Sequence, residues 1–369
     1  MKRALILLYI LLFTLPLSGC SLSLQADRRD AEKLLLVQTM GLDRRGTGVE
    51  MSISSGLGVE DKPALVMSAA GSGIEDAIAR LQNYSPENQL FYAHVQYLLL
   101  GESAARKDLD AVIDWVERNP TVRIDTDLLV VRGSAKDAVV GSSQKSTDIT
   151  QRLESMNRQS SSTGWTVHTL RQVASALEEG GGALCLAVEA VSAEDTVFTE
   201  DMSSDAILPA GYAVLGAGGL LGFLTPEQSL GAELLTGDPT GIQITIDGNA
   251  LEILDGSAQA SGKFSDDGTL EGIDIRCTLR TGLMEKSRGK DADPDKLDAS
   301  LSETAAQWLA GAVEQAQKLD CDFLDLKSSV LKKSKNMTAL GDRWQDLFPT
   351  LPVTVTVNGW VDRSYDLSE

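Results

Sequence analysis

The clearest chemistry in the chain belongs to Cys20, because Leu17, Ser18, Gly19 and Cys20 follow an apolar run from Ala4 to Phe13 that Lys2 and Arg3 open. A positive start, an apolar stretch too short to span a bilayer comfortably, and small residues before a cysteine describe a cleaved export signal. The spacing is that of the bacterial lipobox, in which the thiol receives a diacylglyceryl group before the peptide to its left is cut. Residues 1–19 are then the signal, and Cys20 is the lipidated start of the mature chain. Two acyl chains, at roughly 0.8 kcal/mol per buried methylene, hold a folded body on a membrane far more durably than one. The competing reading is an ordinary secretory signal that ends on a cysteine by chance.

No other motif offers chemistry of comparable specificity. His94 and His168 are the chain's two histidines, and neither stands in a spaced metal motif such as H-E-x-x-H. Neither G-x-S-x-G nor G-x-x-x-x-G-K-[ST] occurs, which removes the hydrolase elbow and the nucleotide loop. Gly216, Gly218, Gly219 and Gly222 miss the dinucleotide spacing, since Leu221 stands where the third glycine is needed, and they read as a turn between strands. Ser142 with Lys145, and Ser329 with Lys332, satisfy S-x-x-K, but the companion S-D-N and K-T-G are missing. The acidic pairs Glu178–Glu179 and Asp266–Asp267 read as solvated faces. No catalytic residue, metal ligand or cofactor is therefore expected. Cys185, Cys277 and Cys321 are widely spaced with no C-x-x-C pair. Cys277 falls on the apolar side of a period-two run and reads as a small buried hydrophobe, while spacing leaves a Cys185–Cys321 pairing open.

Charge narrows the partners. The chain carries −20, and removing the two positive charges of Lys2 and Arg3 with the signal leaves −22. Such a surface repels phosphate backbones, so nucleic acid is not an expected partner. It also repels anionic headgroups, which leaves membrane attachment to the acyl anchor.

The elements that must carry these residues alternate between strand and helix, the mark of an α/β fold. A tether occupies 20–30. Strands are predicted from Leu34 to Leu42, from Val49 to Leu57 and from Phe91 to Leu100, the last closed by Gly101. Ser72 and Glu75 form a capping-box pattern before a helix with Ile74, Ala77, Ile78 and Leu81 on one face. A second helix carries Leu109, Val112, Ile113 and Val116 to Asn119 and Pro120. Asp127 to Val131 is a strand, and polar helical sequence runs from Ser134 to Gly180, with a loose stretch at Gln159 to Thr163. The glycines at 180–182 turn the chain into an apolar strand, Ala183 to Val191. An N-terminal α/β domain thus covers 31–195. A small middle domain, 205–238, holds two short strands and a helix opened by Thr225, Pro226 and Gln228. The C-terminal α/β domain, 241–369, has long strands around Ile242–Ile246, Leu251–Phe264 and Leu270–Leu283. Its long helix has an apolar stripe of Leu297, Leu301, Ala305, Trp308, Ala312 and Ala316, expected across the inner face of a largely antiparallel sheet. The final alternation of Val353, Val355 and Val357 with Thr354, Thr356 and Asn358 is expected to rejoin that sheet.

Several segments, in order, are similar to one family. Asp27, Arg28, Arg29 and Asp30 match a stretch that follows the lipidated cysteine, with Ala26 in place of tryptophan and Asp30 in place of glutamate. Gly41–Leu42–Asp43, Tyr92–Ala93–His94 with Leu98 to Glu102, and Arg118, Asn119, Pro120 and Arg123 follow. Gly211 to Val214, Leu221 to Thr225, Glu227 and Gly231 come next, then Asp320, Asp325, Trp344 and Phe348. The chain so resembles the Ger(x)C family, the lipoprotein C subunits of nutrient germinant receptors in spore-forming bacteria. The resemblance implies a three-domain protein on the outer face of the spore inner membrane, without enzymatic activity, beside integral membrane A and B subunits. B is the subunit thought to receive the nutrient. On that reading interfaces matter more than pockets, and direct small-molecule binding is left open. Asp27, Arg28 and Arg29 are either a solvated tether or a docking element, and His94 either a structural histidine or an interface residue. A solute-binding lipoprotein of a transporter is the alternative, since such proteins are also anchored, acidic and α/β. It calls for two similar lobes, a regularity the sequence lacks.

Overall fold

The computed structural model describes residues 34–56, 64–119, 121–141, 148–163, 165–191, 206–286, 294–332 and 337–362. The signal, Cys20, Asp27, Arg28, Arg29, the Ser142–Lys145 pair and the boundary around 195–204 lie outside them.

The fold is α/β, with two main sheets. The larger has nine described strands. Its path runs from β11 (Gly219–Phe223) and β10 (Ala206–Gly216) through β9 (Ala183–Val191), β7 (Asp127–Val131), β6 (Tyr97–Gly101) and β2 (Thr39–Arg45) to β3 (Gly48–Ser54) and β4 (Val66–Gly71). The two residues of β8 (His168–Thr169) pair with β7. The central four strands, β9, β7, β6 and β2, are mutually parallel, and both flanks are antiparallel. Parallel centres are covered on both faces, which is why β6 reads Tyr-Leu-Leu-Leu-Gly and β7 Asp-Leu-Leu-Val-Val without polar alternation. Successive residues nonetheless serve opposite cores. Leu98, Leu100, Leu128, Val130, Cys185 and Ala213 face one cluster, and Tyr97, Leu99, Leu129, Leu186, Tyr212 and Val214 the other.

The first cluster is closed by α1 (Ile74–Tyr84), α2 (Glu102–Lys107), α3 (Leu109–Arg118) and α6 (Leu170–Glu178). The second is closed by α4 (Ala135–Gly141) and α5 (Ile149–Thr163), then continues without a break into the C-terminal part. There β12 (Gln243–Ile246), β13 (Asn249–Phe264), β14 (Leu270–Glu285) and β15 (Val353–Asp362) form the other main sheet in that order, with only β15 parallel to its neighbour. The long helix α8 (Pro294–Lys318) crosses that sheet with Leu297, Leu301, Ala305, Trp308, Ala312 and Ala316 all buried, as the stripe requires. Helix α7 (Pro226–Thr236) begins where expected, with Pro226 in its first turn, and on a capping box in which Thr225 accepts from the Gln228 amide and the Gln228 side chain accepts from the Thr225 amide. It packs so closely on α8 that a Cβ on Gly231 would lie 2.0 Å from the Trp308 carbonyl oxygen. The segment expected as a middle domain builds no sheet of its own. β10 and β11 extend the edge of the large sheet, and α7 bridges to α8.

Local expectations are corrected at four places. The stretch Phe91 to Leu100 is two strands, not one. β5 (Gln89–Phe91) pairs in parallel with β1 (Leu34–Leu36), and a turn through Tyr92–Gln96 separates it from β6. The expected first strand is likewise split after Leu36. The Ser72–Glu75 capping box does not form, because the helix starts one residue later, with Gly73 at the cap. Ser72 instead donates through N–H and hydroxyl to Asp76, and Glu75 accepts from the Trp115 indole at 2.6 Å. The stretch Gln159 to Thr163 continues α5.

Candidate functional site

His94 lies in the turn between β5 and β6, exposed, with its ring 5.8 Å from that of Phe91. It lines a polar cleft of about 450 Å³ at the amino ends of β6 and β7, together with Gln96, Arg123, Asp125, Asp127 and Asn157. Asp125 is held by Arg171 through two hydrogen bonds of 2.7 and 3.3 Å, and the guanidinium keeps its carboxyl below the usual range. Asp127 accepts from the Asn157 amide at 3.4 Å, and burial raises its pKa. Thr126, in the same lining, donates its hydroxyl to the Val95 and Arg123 carbonyls at 3.2 and 2.7 Å. Among the described residues no group of three or more histidine, cysteine or acidic side chains is placed to hold a metal. The arrangement can hydrogen-bond a partner.

The segments that resemble the family mostly turn out to shape the fold. Asp43, at the carboxyl end of β2, caps the start of α4. Its oxygens accept from the amides of Ala135 (2.9 Å) and Lys136 (2.7 Å) and from the Ser134 hydroxyl (3.2 Å). Gly101 makes room for that carboxylate, since a Cβ there would sit 1.9 Å from Asp43 Oδ1, and Gly41 lets Val139 and Ala135 pack onto β2. Near the end, Asp320 and Asp325 take left-handed backbone conformations with φ of 50° and 51°. Gln345 donates to both the carbonyl and the carboxylate of Asp320, and Trp344 stacks on Phe348 with centroids 5.4 Å apart.

The remaining nucleophile candidates are quiet. Cys185, Cys277 and Cys321 are buried free thiols, so the open Cys185–Cys321 pairing resolves to no disulfide. Burial pushes Cys277 and Cys321 up to about 11 and Cys185 higher still, which keeps all three protonated at neutral pH. Ser329 is half-buried and Lys332 exposed, both at the end of the short helix α9 (Leu326–Leu331). The glycines at 216–219 turn β10 into β11, and Gly219, with φ of 122°, passes against the backbone of Ala105 and Arg106.

The most elaborate polar group escaped the sequence reading. Glu233, 1% exposed on α7, accepts from the Tyr212 hydroxyl, from Thr166 Oγ1 at 2.7 Å and from the Asp238 amide at 3.0 Å. Tyr212 in turn accepts from the Thr166 amide at 2.8 Å, and Trp165 and His168 meet its ring edge-on. Burial raises the pKa of Glu233 against the three donors that favour its charged form, and lowers that of His168. Glu233 lies in the last turn of α7 and carries no motif of its own. The one local signal is Gly237 four residues on, where a Cβ would meet the carboxylate at 1.9 Å. This cluster ties the segment before α6 to β10 and α7. With Glu233 and Tyr212 buried and Trp165, Thr166 and His168 half-buried around them, the group acts as a clamp.

Comparison with known proteins places these features. Residues 27–190 match the family model described as "Spore germination protein N-terminal domain", and residues 210–365 match "Spore germination B3/ GerAC like, C-terminal". Among solved structures the chain is similar to one titled "Crystal Structure of the GerBC protein", at 13% identity and a TM-score of 0.54, over 87% of this chain and 96% of that one. At that identity the likeness speaks for the fold. None of the curated proteins compared matches the sequence.

Proposed function

The chain belongs to the GerAC-like family of spore germination proteins, and from that premise we propose that it is the lipid-anchored, non-catalytic C subunit of a nutrient germinant receptor. The observation that carries the proposal is the order of the matches. The Leu17–Cys20 stretch that reads as a lipobox stands just ahead of the segments 27–190 and then 210–365 that match the two family models. In this reading Cys20 bears the lipid and holds the body on the outer face of the spore inner membrane. The body docks on integral A and B subunits and helps convert nutrient binding into germination. Among the described residues no helix is long and apolar enough to cross a membrane, and in this reading attachment is the task of the anchor. Asp27, Arg28 and Arg29, close to the bilayer, and His94, exposed on a polar cleft, are proposed as docking residues. A solute-binding protein needs two similar lobes. The nine-stranded mixed sheet and the four-stranded sheet under one long helix are not a matched pair.

The anchor is tested by fractionating spores that carry the wild type or Cys20→Ala. The wild type should sediment with membranes and yield an N-terminal peptide carrying the diacylglyceryl mass at Cys20. The variant should leave the membrane fraction or stay unprocessed. A wild type that is soluble and unmodified would remove the anchor from the proposal.

A further inference from the structure

The carboxyl ends of the parallel strands hold a second cleft, of about 740 Å³, on the opposite edge of the sheet from His94. It lies where the topology divides. β2 and β6 are parallel neighbours, with Leu42 beside Leu100. The chain leaves β2 toward β3 on one side and β6 toward β7 on the other. Open α/β sheets bind ligands in the crevice such a division leaves.

Charge in this cleft is layered. Beneath lie Asp43, 8% exposed and committed to capping α4, and Glu50, whose side chain is 13% exposed. Above Glu50 stand Arg45 and Lys136, with side chains 63% and 38% exposed. Both cations use one oxygen of Glu50, Lys136 at 2.7 Å and Arg45 at 3.5 Å, so their nitrogens lie within about 6 Å of each other. Two cations sharing a single carboxylate leave donors directed outward. Arg44, paired with the less exposed Asp108, and Arg106, paired with Glu102, stand at the same mouth. The solvent-facing layer holds Arg45, Lys136 and Arg106 against one comparably exposed acid, Glu102 with its side chain 38% exposed, so cations outnumber acids there in a chain of −20, and charges within a Debye length of about 8 Å dominate what a small ion meets.

We propose that this cleft binds a small anion carrying two or more carboxylate or phosphate groups, bridged between Arg45 and Lys136 and reaching toward Arg106. A singly charged ion would satisfy one cation and leave the rest, whereas a multiply charged one replaces solvent at several donors at once. The site is independent of the receptor reading, since it rests on the sheet's topology and its own ion pairs.

The test is titration calorimetry on the folded body, with citrate and inorganic pyrophosphate as separate arms and acetate as the singly charged control. Citrate or pyrophosphate should bind at submillimolar concentration and acetate should not. Lys136→Ala and Arg45→Ala should each weaken binding roughly tenfold while melting at the wild-type temperature. Arg80→Ala, on an exposed ion pair with Asp76 away from the cleft, should bind as the wild type does. Preference for one arm identifies the ligand as carboxylate or phosphate. No binding of either probe, or binding unchanged in both Lys136→Ala and Arg45→Ala, would overturn the assignment.

Discussion

Glu233 sets a definite energetic expectation, because three donors are aimed at a carboxylate that water does not reach. Glu233→Ala strands the Tyr212 hydroxyl, Thr166 Oγ1 and the Asp238 amide and opens a cavity. The loss should be on the order of 3 kcal/mol, read from urea midpoints at constant slope. The pH dependence has a sign as well. Burial raises the native pKa above the unfolded value of 4.5, so the folded state holds the proton more tightly. The stability linked to this group is full below pH 4.5, falls as pH rises through the native pKa, and then levels off. Glu233→Gln should flatten that fall relative to the wild type, measured as the difference between their unfolding free energies across the range. Parallel pH profiles would mean that Glu233 titrates alike in both states. Asp43 and Gly101 form a second residue-scale unit. Asp43→Ala should cost about 1 kcal/mol by uncapping α4, and Gly101→Ala should cost more because its Cβ meets the carboxylate. The double variant should be less destabilised than the sum of the two, since removing the carboxylate relieves the clash.

At the scale of elements, α7 and α8 meet backbone to backbone at Gly231. Gly231→Ala should therefore lose about 2 kcal/mol, whereas Gly222→Ala, with open space at its Cβ, should stay within about 0.5 kcal/mol of wild type, both by thermal melts. Elements whose sequence carries the whole of their own logic were legible. Thr225–Pro226–Gln228 announces α7, six apolar residues at helical spacing announce α8, and the Val–Thr alternation announces β15. Elements decided by distant partners were not. Glu75 belongs to Trp115 rather than to a cap on Ser72. Tyr92 and Val95 are buried although they lie in a turn, so an apolar run concealed the break between β5 and β6. The short helix α2, following directly on β6, has no periodic stretch long enough to be read. Of the candidate sites, the sequence could expose His94 but not the company it keeps. Glu233 and the paired cations on Glu50 come from segments far apart in the chain, and their chemistry exists only once the sheet has formed.

At the scale of the whole molecule, the hydrophobic cluster under the large sheet runs on through Tyr212, Ala232 and Leu251 to the helix stripe of the C-terminal part. The two family-matched halves are thereby joined by a shared core and by the Glu233 clamp. Force or docking applied to one half can be passed to the other through packed contacts instead of a loose hinge. On the proposed reading, a C subunit of this build would serve as an adaptor between the bilayer and its integral partners. That claim is tested most directly by crosslinking tagged protein in spore membranes and identifying what is recovered by mass spectrometry, with Cys20→Ala and Arg28→Glu alongside. The account predicts two multi-spanning partners recovered with the wild type, lost with Cys20→Ala and reduced with Arg28→Glu. Recovery of a transporter permease and its ATPase, or of no membrane protein at all, would contradict it.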